Sequence, residues 1–281
     1  MNTSLITTSD VHQLLSQYLV AFDKEKFEEN LHIFIEAAID RDDYSFNTGL
    51  LGAGWLLSFG YQHDLVEGDI DEVLSDFDDN FYKLALKIIV DVNSSLEDTL
   101  NLIHYFQQRV QNKPLKHNFY RRFALFETIK LLTEKLNSLL KNNSLTRYEE
   151  IEAVLKISYL SQTCMNEKEI EEIYYSKTEE LIEKYRTLPE LSSEDLYYLH
   201  LLQLSCIHYN NPYWVNEIGK IFSSISDSPK AELIIQLKDL NNKLLNILDV
   251  KINLSTYTAA KKGDLLILLA TNLKCIELID K

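Results

Sequence analysis

An all-α fold is what this sequence predicts, and three observations carry it. Seven glycines and four prolines in 281 residues are too few for the tight turns of an all-β protein. Apolar residues recur at three-and-four spacing, the period of an amphipathic helix. Ser, Thr, Asn or Asp followed three residues later by Glu recurs along the chain as a reciprocal capping box, marking one helix start after another.

Ser9 or Asp10 opens a first helix to Phe22, with Val11, Leu14, Leu15, Tyr18 and Leu19 on one face. A second spans Glu25 to Asp40 and turns Phe27, Leu31, Phe34, Ile35 and Ala38 inward. After the acidic loop Asp40–Asp43 comes a glycine-rich apolar helix. Asp69 with Glu72 starts a long helix to Val92, with Val73, Leu74, Phe77, Phe81, Leu84, Ala85 and Ile88 inward. Ser94 with Glu97 opens the next, ending near Gln111.

Leu115 to Lys141 reads as one long helix. Thr146 with Glu149 starts another through Cys164, and Asn166 with Glu169 one to Tyr185 or Arg186. Ser192 caps a helix carrying Leu196, Leu199, His200, Leu202, Gln203 and Cys206. Asn211-Pro212 and Ser228-Pro229 each set a cap before a first-turn proline, predicting helices over Trp214 to Phe222 and Ala231 to Leu248. Val250 to Thr258 alternates apolar and polar residues as a short strand does, and a last helix runs from Thr258 to Ile279. The count is about twelve helices. Antiparallel helix pairs on short loops, without a repeat of fixed period, predict an α/α toroid or an irregular α-solenoid, residues 1–281 forming a single helical domain.

A formal net charge of −15 argues against a nucleic-acid footprint, which needs clustered Lys and Arg. The compact basic cluster Lys113, Lys116, His117, Arg121 and Arg122 reads as the exposed start of a helix. An acidic surface suits basic peptide partners, and it also serves solubility alone. No run approaches a membrane span, and the first ten residues lack the pattern of a secretory signal. Three widely spread cysteines make no disulfide framework, so the expected compartment is cytoplasmic.

Four of the seven glycines lie within residues 47–60, where a helix interior pays about 1 kcal/mol for each against alanine. On a helix Gly49, Gly52, Ala53, Leu56 and Gly60 share one smooth face, leaving Leu51, Trp55 and Phe59 on a bulky one. Close backbone approach, a helix mouth lining a cavity, or both would use such a face. The pattern Gly49-x-x-Gly52-x-Gly54-Trp55, followed by Val66-Glu67-Gly68-Asp69-Ile70-Asp71-Glu72-Val73-Leu74, resembles the early part of lanthionine synthetase C-like proteins, over roughly residues 44–90. The resemblance implies an α/α toroid. It also implies a zinc ion held by two cysteines and a histidine, which activates cysteine thiols to close thioether rings in a modified peptide.

The metal-binding contexts of that family are not matched. Cys164 lies in Leu160-Ser161-Gln162-Thr163-Cys164-Met165-Asn166 and Cys206 in Leu204-Ser205-Cys206-Ile207-His208, one residue off the family's adjacent Cys-His pair. Positions two apart on a regular helix point to nearly opposite sides. The expectation is therefore no cofactor and no catalytic residue, with a zinc site of Cys164, Cys206 and His208 at a frayed helix end as the alternative. His63, His104 and His200 fall within or after apolar helical patterns and read as structural, and Asp64, Glu67, Asp69, Asp71, Asp76 and Asp78 as a solvated face with caps. Tyr197, Tyr198, Tyr209 and Tyr213 are the candidates for a peptide groove, among other tyrosines that pack at core margins.

The expected function is that of a non-catalytic, degenerate relative binding a precursor peptide or a maturation enzyme in the biosynthesis of a ribosomally produced, modified peptide. A zinc-dependent cyclase and an unrelated helical interaction module are the alternatives. An incomplete toroid would expose an apolar edge that a second copy could cover, so a homo-oligomer is also expected to be open to it.

Overall fold

The computed structural model describes residues 10–21, 23–112, 119–142, 145–163, 168–225 and 228–251. Among the described residues there are twelve α-helices and no strand, so the all-α class holds. No helix among them is long and apolar enough to cross a membrane. The chain divides into two compact units, the division falling after Lys135 within one helix.

The first unit contains α1 (Val11–Ala21), α2 (Lys24–Arg41), α3 (Leu50–Gln62), α4 (Ile70–Val73), α5 (Ser75–Val90), α6 (Leu96–Gln111) and the start of α7 (Phe119–Lys141). At its centre is α3, apolar all round, which packs against α1, α2, α4, α5 and α6. Every residue from Leu51 to Gly60 is buried. The glycines are what allow this density. Gly52 lies on the backbone carbonyl of Phe46, and a Cβ at Gly54 would stand 2.6 Å from the Tyr105 ring on α6 and 3.3 Å from Phe81 on α5. Close approach, rather than a cavity wall, is the use to which these two glycines are put.

The helix predicted over residues 69–92 is broken. Asp69 caps α4 by accepting from the Asp71 and Glu72 amides, but Leu74, fully buried, closes that single turn and stands before α5. Val73, expected inward, is exposed as a result. The cap of α6 is Ser95, whose hydroxyl accepts from the Asp98 amide at 3.0 Å, one residue beyond the predicted Ser94 and Glu97.

The second unit contains the end of α7, α8 (Arg147–Thr163), α9 (Lys168–Thr187), α10 (Ser193–His208), α11 (Pro212–Ser223) and α12 (Ser228–Lys251). Here α10 is the hub, packed against α8, α11 and α12, while α9 packs against α8 and α11. Thr146 with Glu149 and Ser192 with Asp195 form the capping boxes, and Asn211 caps α11 before Pro212. Val250 and Lys251, read as the start of a strand, belong to α12 because the helix runs on three residues past Leu248. The rest of that segment, the predicted last helix and the Asn166 cap lie outside the described residues.

Candidate functional site

Buried chemistry concentrates in the first unit around Asp78. Tyr105 and Arg109, four apart, share one face of α6 and meet Asp78 on α5. The Arg109 guanidinium donates from Nε to Asp78 Oδ1 at 3.0 Å, from Nη2 to Oδ2 at 2.8 Å, and from Nη2 to Asp71 Oδ1 at 3.0 Å. The Tyr105 hydroxyl donates to Asp78 Oδ1 at 2.6 Å, and Arg121 Nη1 reaches the Asp71 carbonyl at 3.1 Å and Asp78 Oδ2 at 3.3 Å.

Burial opposes the Arg109 charge, but the hydrogen bonds and charge of Asp78 outweigh it, and the guanidinium is held more firmly protonated than usual. Burial first, and then the Asp78 charge, push the Tyr105 hydroxyl well above the ordinary tyrosine range, so it stays neutral. Asp78 is thus no part of a solvated acidic face. A carboxylate this deep is stable only because its partners satisfy both oxygens. Beside the cluster, Arg109, Asn112, Arg121, Arg122 and Leu125 line a small cavity of about 20 Å³.

The second unit holds a groove of about 590 Å³ between the end of α9, the connection to α10, α11 and the start of α12. Leu188, Pro189, Leu191, Ile221 and Ile225 supply apolar lining, and Arg186, Glu190, Lys220 and Lys230 add charge. The charges are paired: Arg186 Nη2 lies 2.6 Å from Glu217, Lys220 Nζ 2.5 Å from Glu217, and Lys230 Nζ 2.7 Å from Glu190. The hydrogen bond from Lys220 lowers the Glu217 carboxyl, and that from Lys230 lowers Glu190. Tyr185, 1% exposed, also lines the groove, with the Arg147 guanidinium 5.0 Å from its ring centre and its hydroxyl raised by burial. Arg147 in turn pairs with Asp195, which also accepts from Tyr148 at 3.0 Å.

Residues singled out in the sequence fall elsewhere. Gly49 is the N-cap of α3, Gly52 and Gly54 are its contact points, and Trp55 is buried, stacked 5.4 Å from Phe59 and edge-on to Phe46 at 5.8 Å. Tyr197 and Tyr198 sit early in α10, where Tyr198 stacks on Tyr148 at 4.5 Å and donates to Glu152 at 2.9 Å. Tyr209 caps the other end, roughly 17 Å away along the helix by its rise per residue, against Tyr174 at 4.4 Å and donating to Glu171 at 3.3 Å. Tyr213 is exposed. These four tyrosines form two groups, and neither lines the groove.

His63 packs on Phe59 at 4.4 Å and His104 on Phe46 at 5.2 Å, in keeping with structural roles. Cys206 is buried, and that burial pushes its thiol up to about 12. Cys164 and the His208 side chain lie outside the described parts, and among the described residues no group of three His, Cys, Asp or Glu is placed to hold a metal.

Sequence reasoning missed the Asp78 cluster and the groove. The run Gln107-Gln108-Arg109, polar yet buried in α6, held the one available signal, since Tyr105 and Arg109 share a face. With this geometry in view, comparison adds no relative: no family model, no curated protein and no solved structure matches the chain.

Proposed function

We propose that the chain is a non-catalytic helical binding protein that takes a peptide in the groove of its second unit. The peptide is a precursor, or a segment of a peptide-modifying enzyme, in the biosynthesis of a ribosomally produced, modified peptide. The groove carries the reading: about 590 Å³ of concave space with an apolar lining lies in the range of ligand sites. Apolar peptide side chains fill Leu188, Leu191, Ile221 and Ile225, and charges of both signs at Arg186, Glu190, Lys220 and Lys230 meet the peptide's polar groups. The glycine-tryptophan resemblance in α3 supports the pathway.

Selection of a displayed random peptide library on the purified chain tests the groove, with Ile221→Glu as the control surface. Peptides enriched on the native chain and lost on the variant are the expected result. Enrichment that is identical on both, or absent, overturns the groove reading. Metal content per chain, on protein purified without chelator or metal-binding tag, tests the non-catalytic part. About one zinc per chain, lost in Cys206→Ala, would return the protein to the cyclase class.

A further inference from the structure

We propose that the outer face of α5 pairs antiparallel with the same face of a second copy of the chain, independently of the groove in the second unit. The inner face of this helix, with Asp78, Phe81, Ala85 and Ile88, is buried in the first unit. On the outer face Tyr82, Leu86 and Val90 follow one another four residues apart and are 42%, 40% and 78% exposed. Single exposed apolar residues are ordinary on a protein surface, but three in line along one helix make a stripe that water covers at a cost.

The charges beside the stripe name its occupant. Asp76, Asp79, Lys83 and Lys87 are all exposed, and none of them makes a salt bridge with a described residue. At about 100° per residue they share with Tyr82, Leu86 and Val90 one face about 140° wide. The two acids come first along the helix and the two bases follow. A second copy of this helix, running the other way, presents the complementary order.

A two-fold axis level with the step from Phe81 to Tyr82 satisfies both kinds of contact. At 1.5 Å per residue, Asp76 lies about 8 Å before that level and Lys87 about 8 Å after it, while Asp79 and Lys83 lie about 3 Å to either side. A two-fold rotation at right angles to the helices sets the same flank of each against the other. Asp76 of one copy then stands against Lys87 of the second copy and Asp79 against Lys83, and each pair occurs twice. Tyr82, next to the axis, meets its own counterpart, and Leu86 extends the apolar contact on either side. Parallel helices would instead set each charge beside its like, which is repulsive. This self-complementary order singles out a second copy over an unrelated helix. One helix pair is a small interface, so the dimer is weak and forms as concentration rises.

Sedimentation velocity of the full chain, at concentrations up to the millimolar range, tests the pairing. The native chain should pass from one chain to two as concentration rises. Lys83→Glu with Lys87→Glu makes the face wholly acidic, and Asp76→Lys with Asp79→Lys makes it wholly basic. Each double variant alone should dimerise at least tenfold more weakly than the native chain, with its helical circular dichroism retained. Mixed in equal amounts, the two variants should pair with each other at least as tightly as the native chain pairs with itself, a recovery that misfolded variants cannot give. A native chain that stays monomeric throughout, double variants that dimerise as the native chain does, or a mixture of folded variants that stays monomeric would each overturn the proposal.

Discussion

Arg109 holds Asp78 as a fork, Nε at 3.0 Å from Oδ1 and Nη2 at 2.8 Å from Oδ2, with the arginine side chain 1% exposed and the aspartate 5%. Removing one partner of a buried pair strands the other charge away from water. Arg109→Met or Asp78→Leu alone should therefore cost about 3–5 kcal/mol, whereas the double variant should cost less than either. Urea unfolding at pH 7 measures this, and a double variant as unstable as the sum of the singles would contradict it.

Two glycines should respond to alanine with opposite signs. At Gly52 a methyl group meets the Phe46 carbonyl, which belongs to backbone and has no room to retreat, so Gly52→Ala should lose at least about 1–3 kcal/mol. At Gly219, inside α11, an added Cβ meets nothing within 4 Å. Gly219→Ala should gain about 0.4–1 kcal/mol through helix propensity and a less mobile unfolded chain. Thermal melts of the two variants side by side make the comparison.

Alkaline pH should unfold the protein through its buried tyrosines. Burial raises the hydroxyls of Tyr105, Tyr174 and Tyr185, each no more than 1% exposed, above their unfolded value near 10. Below about pH 10 both states keep the proton and the full stability is present. Above it the unfolded chain ionises first, so stability falls by about 1.4 kcal/mol per pH unit for each tyrosine. Absorbance at 295 nm should then rise together with loss of helical circular dichroism, and a rise from these residues well before unfolding would count against the buried assignment.

Cys206 should resist alkylation. Its thiol is buried and pushed up to about 12, so at pH 8 the reactive thiolate is scarce and shielded. Mass spectrometry after iodoacetamide treatment should find Cys206 unmodified in the native chain and modified in urea. Rapid native labelling would open the way to a thiolate role.

Local signals were the legible part of this chain. Asp10 accepts from the Gln13 amide, Thr146 and Ser192 make their boxes, and Asn211 precedes Pro212, as their side chains dictate within a few residues. The glycine-rich run was legible as a place of close approach, of a cavity wall, or of both, and only the contacts of Gly52 and Gly54 decide for close approach there. The break at Leu74 was not, since a buried leucine between two helical patterns gives no punctuation of its own. Nor was the burial of Asp78, one aspartate among several in an acidic stretch.

The sequence by itself determined the class of fold, most of the described helices and most of their starts, for caps and apolar periods are short-range properties of the backbone and its nearest side chains. Only the tertiary structure decided which polar groups are buried and where concave space opens. Arg109 meets Asp78 from 31 positions away, and the groove gathers residues from Tyr185 to Lys230. The physical reason is that burial and ion pairing depend on which helix faces meet, and that is settled by packing around α3 and α10 rather than by any local pattern.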